Sequence, residues 1–132
     1  AFALAKAGAA VRVCARRPAR AKELASAVGG EAIAKSRLRG EFFDAIVNAT
    51  PVGMYPNANE SPLEPRELNC RLVFDSIYRP QRTKLLQLAE RRGIETVSGL
   101  EMFVAQGMAQ WEIWTGERAP ERVMRESVSD WE

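Results

Sequence analysis

The amino-acid sequence predicts an α/β fold in which a doubly wound parallel sheet is covered by helices on both faces. Short runs rich in Val, Ile and Phe alternate along the chain with longer Ala- and Leu-rich segments, and Gly or Pro marks most of the boundaries between them. Parallel strands need crossover connections, usually helices, and these crossovers cover both faces of the sheet. In such folds ligands bind beyond the carboxyl ends of the strands.

The first part of the chain predicts three strands and the helices between them. Gly8 ends a first helix, and Pro18 begins a second one, where its missing N–H costs nothing. Gly29 and Gly30 then end that second helix. The predicted elements are a helix over 1–7, a strand over 10–15, a helix over 18–28, a weak strand over 31–34, a short polar helix or turn near 36–40 and a strand over 44–48.

The alternation resumes after one long polar segment, residues 50–69, whose four prolines predict a long functional loop. Thr83 is suited to cap a helix that Gly93 ends. The apolar stripe of that helix is predicted to consist of Leu85, Leu88 and Ala89. The other predicted elements are a strand over 71–75, a strand over 94–97, a long helix over 100–115 and a short helix over 120–127.

Composition excludes several classes of function. The 19 basic and 17 acidic residues give a net charge of +2, too even for a nucleic-acid-binding surface over the whole chain. No apolar run approaches the roughly 18 residues of a membrane helix. The chain has no histidine, which excludes a Ser-His-Asp or Cys-His pair within it and removes the commonest metal ligand. We therefore expect no metal, no nucleic-acid partner, no membrane partner and a cytoplasmic setting.

The two cysteines are far apart in sequence and suggest neither a disulfide framework nor a structural zinc site. Cys14 falls within the strand pattern over 10–15. It is therefore predicted to be a small buried residue.

A basic cluster follows the strand over 10–15. Arg16 and Arg17 come directly after it, with Arg20 one turn further on. In a dinucleotide-binding fold this position meets the adenosine ribose, where Arg pairs with a 2′-phosphate and an acidic residue favours NAD. No Asp or Glu lies between Val13 and Lys22, so the cluster favours NADP. The alternative is a solvated basic face at a helix start.

Two later strands end in segments with ligand-binding chemistry. Asn48 and Thr50 offer an amide and a hydroxyl to a cofactor, and Met54 is suited to pack against a flat ring. Tyr78 follows the strand over 71–75 and offers a hydroxyl to a ligand. The alternatives are an ordinary strand exit built from turn-forming residues and a half-buried loop tyrosine.

The start of the long helix forms a further candidate site. Gly99 permits a close approach of backbone to a ligand. Met102, Gln106 and Gln110 are spaced to share one helical face, which is suited to border a nicotinamide and a polyol. The alternative for Gln106 is a solvated helix residue. Three aromatic residues on other faces of this helix are predicted to pack in the core: Phe103, Trp111 and Trp114.

Taken in order, these segments resemble the shikimate dehydrogenase family over almost the whole chain. The matching stretches are residues 15–24, 47–54, 73–80, 98–106 and 111–116. The resemblance implies that residues 1–132 are part of a Rossmann-like NADP-binding domain. The chain starts at Ala1 inside a helical pattern. We therefore expect the first strand and the glycine-rich phosphate loop of that domain to be absent from it.

The resemblance also implies residue roles. Arg16 would hold the 2′-phosphate of NADP with help from Arg20, while Ala15 stands where the family usually has Asn. The other residues that the resemblance places beside the cofactor are Asn48, Thr50, Gly99 and Met102. From their chemistry and position we expect Arg17 and Met54 to border it as well. The residues implied to help close the shikimate site are Tyr78 and Gln106.

The implied parent reduces 3-dehydroshikimate to shikimate with NADPH, in the shikimate pathway to aromatic amino acids. Its catalytic Lys and Asp would lie on an N-terminal substrate domain outside this chain, so the fragment alone is expected to be inactive. The stretch 99–103 is more similar to the bifunctional dehydroquinate dehydratase–shikimate dehydrogenase proteins than to the short bacterial enzymes, which usually have Gly at the position of Glu101. Two alternatives stay open: a quinate/shikimate dehydrogenase fragment, and a non-catalytic nucleotide-sensing or interaction module. Without its first strand the sheet has two unpaired edges, which predicts marginal stability.

Overall fold

The structure is a computed structural model and describes residues 1–128. The chain divides into two compact units, Ala1–Glu41 and Phe42–Glu132. All strand pairs within the described residues are parallel, as the sequence predicts. No helix among them is long and apolar enough to cross a membrane.

The first unit contains one short parallel strand pair. Arg12 lies opposite Glu31, and ion pairs join these two residues to each other and to Arg37 and Glu41. Both strands are shorter than predicted, because pairing covers only two residues on each. The elements of this unit are helix α1 (Phe2–Lys6), strand β1 (Arg12–Val13), helix α2 (Pro18–Ala27), strand β2 (Glu31–Ala32) and a 3-10 helix (Lys35–Arg39).

Cys14 is exposed, so the prediction that it is buried is wrong. Side chains alternate between the two faces of a strand. Val11 and Val13 take the half-buried side of β1, which leaves Arg12 and Cys14 on the exposed side.

The second unit contains a three-stranded parallel sheet in the order β3-β4-β5. Its register places Asn48 opposite Asp75 at the carboxyl ends of β3 and β4. The predicted long loop is interrupted by a 3-10 helix at Pro65–Glu67. The other elements are strands β3 (Phe43–Asn48), β4 (Cys70–Asp75) and β5 (Glu95–Val97) and helices α3 (Lys84–Glu90), α4 (Gly99–Thr115) and α5 (Glu121–Glu126).

Helix α3 covers the sheet of the second unit. Thr83 caps the helix as predicted, because its Oγ1 accepts a hydrogen bond of 3.3 Å from the backbone N of Leu86. The predicted apolar stripe is confirmed, since Leu85 and Ala89 are buried and the half-buried Leu88 packs against the same cluster. Leu86, which the prediction left out, is also buried. The buried cluster consists of Leu68, Cys70, Val73, Leu85, Leu86 and Ala89.

Helix α4 packs against the end of the described chain through Leu100 and Val104, which contact Val128. Phe103 is half-buried beside this cluster. Trp111 and Trp114 are exposed, Trp114 at 78%, so the prediction that they lie in the core is wrong. The chain turns at Gly116, and Val128 packs against the start of α4, whereas the side chains of Trp111 and Trp114 near its end stay exposed.

The two cysteines are expected to react at different rates with a thiol-alkylating reagent. Burial raises the pKa of the Cys70 thiol, so less of the reactive thiolate is present at a given pH. Iodoacetamide at pH 8 should therefore label the exposed Cys14 first and Cys70 only after unfolding. Peptide mass spectrometry with and without urea measures both rates. Equal labelling of the two thiols in the folded chain would contradict the burial of Cys70.

Candidate functional site

A pocket with a volume of about 870 Å³ opens at the carboxyl ends of β3 and β4. This is the edge where ligands bind in open parallel sheets, and the volume suits a small organic ligand. One wall is the segment after β3 and the other is the segment after β4. The lining residues are Ala49, Thr50, Pro51, Met54, Tyr55, Ser76, Ile77, Tyr78 and Arg79.

Asn48 lies behind the first wall and is only 4% exposed. Its Oδ1 accepts hydrogen bonds from the backbone N of Thr50 at 3.0 Å and from Thr50 Oγ1 at 2.7 Å. Its Nδ2 donates to Asp75 Oδ1 at 3.0 Å and to the carbonyl of Val52 at 3.3 Å. The two acceptor and two donor positions of the amide are thus all occupied within the chain. Asn48 therefore holds the first wall from behind, whereas Thr50 and Met54 line the pocket itself.

The first wall turns sharply at Gly53. Its φ of +103° lies in the region that glycine adopts without strain, and a Cβ there would lie 3.2 Å from the carbonyl oxygen of Glu60. The backbone N of Val52 also donates to Thr50 Oγ1 at 3.3 Å. Beyond this turn, Met54 is exposed and lines the pocket.

Tyr78 on the second wall stacks on Phe103 of α4. Their ring centroids are 4.7 Å apart and the planes are inclined by 28°. Stacking of this kind holds the tyrosine ring in place while one edge stays exposed. Phe103 packs against the Leu100 and Val104 cluster, in agreement with its predicted packing role, and its ring also supports Tyr78 beside the pocket.

Gly99 packs against the chain's own backbone. A Cβ at this residue would lie 2.5 Å from the carbonyl oxygen of Ser76 and 2.5 Å from backbone atoms of Ile77. The sequence predicts a close approach of backbone to a ligand at Gly99, whereas the structure shows a close approach to the second wall of the chain itself. As a result α4 begins directly against that wall. The approach to a ligand stays a prediction.

The predicted polar face of α4 is exposed. Met102, Gln106 and Gln110 all lie on the surface of the second unit. Met102 lies in the first turn of α4, and Gln106 and Gln110 follow about one and two turns later.

The arginine cluster belongs to the first unit. Arg16 and Arg17 are exposed between β1 and α2, and neither forms an ion pair with any of residues 1–128. Arg20 is also exposed, and its guanidinium contacts the carboxylate of Glu23 at 2.8 Å. Two guanidinium groups at the end of β1 thus remain available to an anion.

Sequence reasoning missed several residues of the pocket. Tyr55, Ser76 and Arg79 line it, and Asp75 and Thr83 lie buried behind it. A signal for Asp75 was present, because it ends a strand just as Asn48 ends the neighbouring one. Tyr55 and Arg79 gave no comparable signal, since they lie in loops without periodicity.

Comparison with known proteins identifies a family. A family model described as "Shikimate 5'-dehydrogenase C-terminal domain" matches residues 99–128. The chain is 40% identical over 144 aligned residues to "Shikimate dehydrogenase (NADP(+))" of Moorella thermoacetica, covering 97% of this chain and 49% of that protein. It is 42% identical over 126 residues to the chloroplastic "Bifunctional 3-dehydroquinate dehydratase/shikimate dehydrogenase" of Arabidopsis thaliana, covering 92% of this chain and 21% of that protein.

The fold agrees with this similarity. The crystal structure of shikimate 5-dehydrogenase from Thermus thermophilus in complex with NADP(H) and shikimate superimposes with a TM-score of 0.88 at 34% identity. The match covers 98% of this chain and 49% of that one, so the chain spans about half the length of this enzyme. By sequence and by fold, the chain belongs to the shikimate dehydrogenase family and corresponds to its C-terminal, Rossmann-like domain.

Proposed function

We propose that this chain is the NADP-binding part of a shikimate dehydrogenase that reduces 3-dehydroshikimate to shikimate with NADPH. The main observation in support is the pair of exposed guanidinium groups, Arg16 and Arg17, at the carboxyl end of β1. No carboxylate lies in the sequence between Val13 and Lys22 to favour a free 2′-hydroxyl. The names of the similar proteins, which specify NADP and shikimate, support the same function.

The residues of the first unit fit the phosphate of NADP. Arg16 and Arg17 have their donors uncommitted within the described chain, and the forked guanidinium matches phosphate oxygens. Arg20 is less available because it contacts Glu23. Arg16 and Arg17 would therefore provide most of the discrimination between NADP and NAD.

The residues of the second unit fit a ring and a polyol. Met54 and Met102 offer exposed thioethers for contact with a flat ring, and Thr50, Tyr78 and Gln106 offer polar groups. When bound, NADPH supplies the hydride. The proton at the substrate carbonyl would be handled by the Lys and Asp that family resemblance places on a separate N-terminal domain. The residues of this chain would bind and orient the cofactor and the substrate.

Cofactor titration tests this proposal in the complete polypeptide that contains the chain. Replacing both Arg16 and Arg17 with Ala should weaken NADPH binding by about ten- to a hundredfold, or about 1.5–3 kcal/mol, because charged hydrogen bonds to the 2′-phosphate are lost. NADH, which lacks that phosphate, should bind as before. Fluorescence titration measures both affinities. The matched control replaces Arg91 and Arg92, an exposed pair at the end of α3, and should leave both affinities unchanged.

Other outcomes point to the alternatives. If the Arg16 and Arg17 variant binds both cofactors as tightly as the parent, the arginines are a solvated face and a non-catalytic nucleotide-sensing module is favoured. If the parent prefers NADH and oxidises quinate, it is a quinate dehydrogenase. An assay for 3-dehydroquinate dehydration shows whether the parent is bifunctional.

A further inference from the structure

Asp75 is a carboxylic acid at the end of β4 with 0% of its surface exposed. Its Oδ1 accepts hydrogen bonds from Asn48 Nδ2 at 3.0 Å and from the backbone N of Ile77 at 3.1 Å. Its Oδ2 accepts one from Thr83 Oγ1 at 2.7 Å. The donors come from three different segments of the second unit. One side chain thus connects the end of β3, the segment after β4 and the start of α3.

This arrangement is an unusual way to stabilise a core. Among residues 1–128 no Lys or Arg forms an ion pair with Asp75, and burial of a carboxyl group without an opposite charge is costly unless its hydrogen bonds are well formed. An apolar residue at this position would leave the donors of Asn48, Ile77 and Thr83 without their acceptor. A buried carboxyl group that joins three segments behind the pocket therefore indicates a role in geometry.

Two of the three donors lead directly to the walls of the pocket. Asn48 in turn forms hydrogen bonds with Thr50 and Val52 in the first wall through its side-chain amide. The N–H of Ile77 lies between Ser76 and Tyr78 in the second wall. The third donor, Thr83, also caps α3, which packs in the core of this unit.

We propose that Asp75 is a positioning residue that fixes the two walls of the pocket relative to each other. It thereby sets the separation of Thr50 and Met54 on one wall from Tyr78 on the other. The catalytic consequence rests on the function proposed above, whereas the positioning itself is a property of the chain. The two parts are tested by different measurements.

The first measurement is amide hydrogen exchange of the 132-residue chain, followed by mass spectrometry of peptides that cover 49–55 and 76–79. In Asp75→Ala both peptides should exchange at least about tenfold faster, because removal of one acceptor site releases both walls. In Asp75→Asn the amide oxygen still accepts from Asn48 and Ile77, so both peptides should stay close to the parent. Peptides from α2, in the other unit, serve as the internal reference.

A third variant keeps the test decisive if Asp75→Ala does not fold. Asn48→Ala cuts the connection to the first wall and leaves Ile77 bonded to Asp75. The peptide over 49–55 should then exchange faster while that over 76–79 stays protected. If neither Asp75→Ala nor Asn48→Ala changes exchange in the walls, or if Asn48→Ala releases both alike, the positioning role is wrong.

The second measurement is steady-state kinetics of the complete polypeptide with 3-dehydroshikimate and NADPH. Misplacement of a wall by about 1 Å should lower kcat/KM by up to about a hundredfold in Asp75→Ala, with an increase in the KM for 3-dehydroshikimate, and Asp75→Asn should restore most of it. A purely structural role would lower the active fraction, and hence kcat, at constant KM. A lower kcat at constant KM would overturn the inference. Normal kinetics in a variant whose wall peptides exchange faster would also overturn it.

Failure of the proposed function has a different signature. In that case the parent polypeptide shows no reduction of 3-dehydroshikimate, yet hydrogen exchange still separates Asp75→Ala from Asp75→Asn. Failure of the inference shows itself in an active parent whose walls do not respond to Asp75→Ala.

Discussion

Replacing Gly99 with Ala is expected to lower the free energy of unfolding of the second unit by about 1–3 kcal/mol. The new Cβ would lie 2.5 Å from the carbonyl oxygen of Ser76 and from backbone atoms of Ile77. Backbone atoms of a strand exit cannot rotate away as the end of a flexible side chain can. Either α4 or the second wall of the pocket must therefore move. Urea unfolding followed by circular dichroism measures the loss.

Gly107, on the same helix, provides the matched control. It lies in the interior of α4, and a Cβ there would meet no atom within 4 Å. Alanine is the better helix former, so Gly107→Ala should raise the free energy of unfolding by about 0.5–1 kcal/mol. Opposite signs for the two variants would identify close packing as the cause. A shift of the same sign and size in both would contradict the contact at Gly99.

Leu85→Ala is expected to have the largest effect on stability, a loss of about 2–5 kcal/mol. Leu85 is 1% exposed and lies in the cluster that joins α3 to the sheet. Truncation removes buried methyl groups and leaves a cavity that rigid neighbours such as Val73 fill poorly. Because Thr83 caps the same helix and donates to Asp75, loosening α3 should also weaken the support behind the pocket.

The control for Leu85 is Ile113→Ala, a comparable truncation of a side chain that is 80% exposed. Its stability should stay within about 0.5 kcal/mol of the parent. Chemical denaturation of both variants under the same conditions gives the comparison. If Ile113→Ala destabilised the chain as much as Leu85→Ala, the exposed end of α4 would have to be packed in solution.

Most of the fold could be predicted from the sequence because its local signals agree with one another. Pro18 begins α2, Thr83 caps α3 and Gly116 ends α4, each at the place where the pattern indicates. The errors concern burial, which depends on what packs against an element. The exposure of Cys14 and Trp114 follows from the arrangement of neighbouring segments, about which their own sequence context says little.

The candidate site was predicted in outline and misread in detail. Because ligands bind beyond the carboxyl ends of strands, the sequence indicated Thr50, Met54 and Tyr78, and all three line one pocket. The sequence did not reveal that the amide of Asn48 is fully occupied by its neighbours, since that depends on the register between β3 and β4. The link from Asp75 to Thr83 was missed for a similar reason, because it joins residues on different elements. The roles of the arginines and of Gln106 stay predictions.

The register of β3 and β4 has a consequence for how this site can change over evolution. Asn48 lies opposite Asp75 because backbone pairing between β3 and β4 aligns the two strand ends. The length of the segment that connects the two strands does not affect this alignment. Lengthening such a connection is inexpensive, about 0.6 kcal/mol for each doubling of its length. We therefore expect insertions in the segment between β3 and β4 to be tolerated, whereas a shift of one residue between the two strands would separate Asn48 from Asp75.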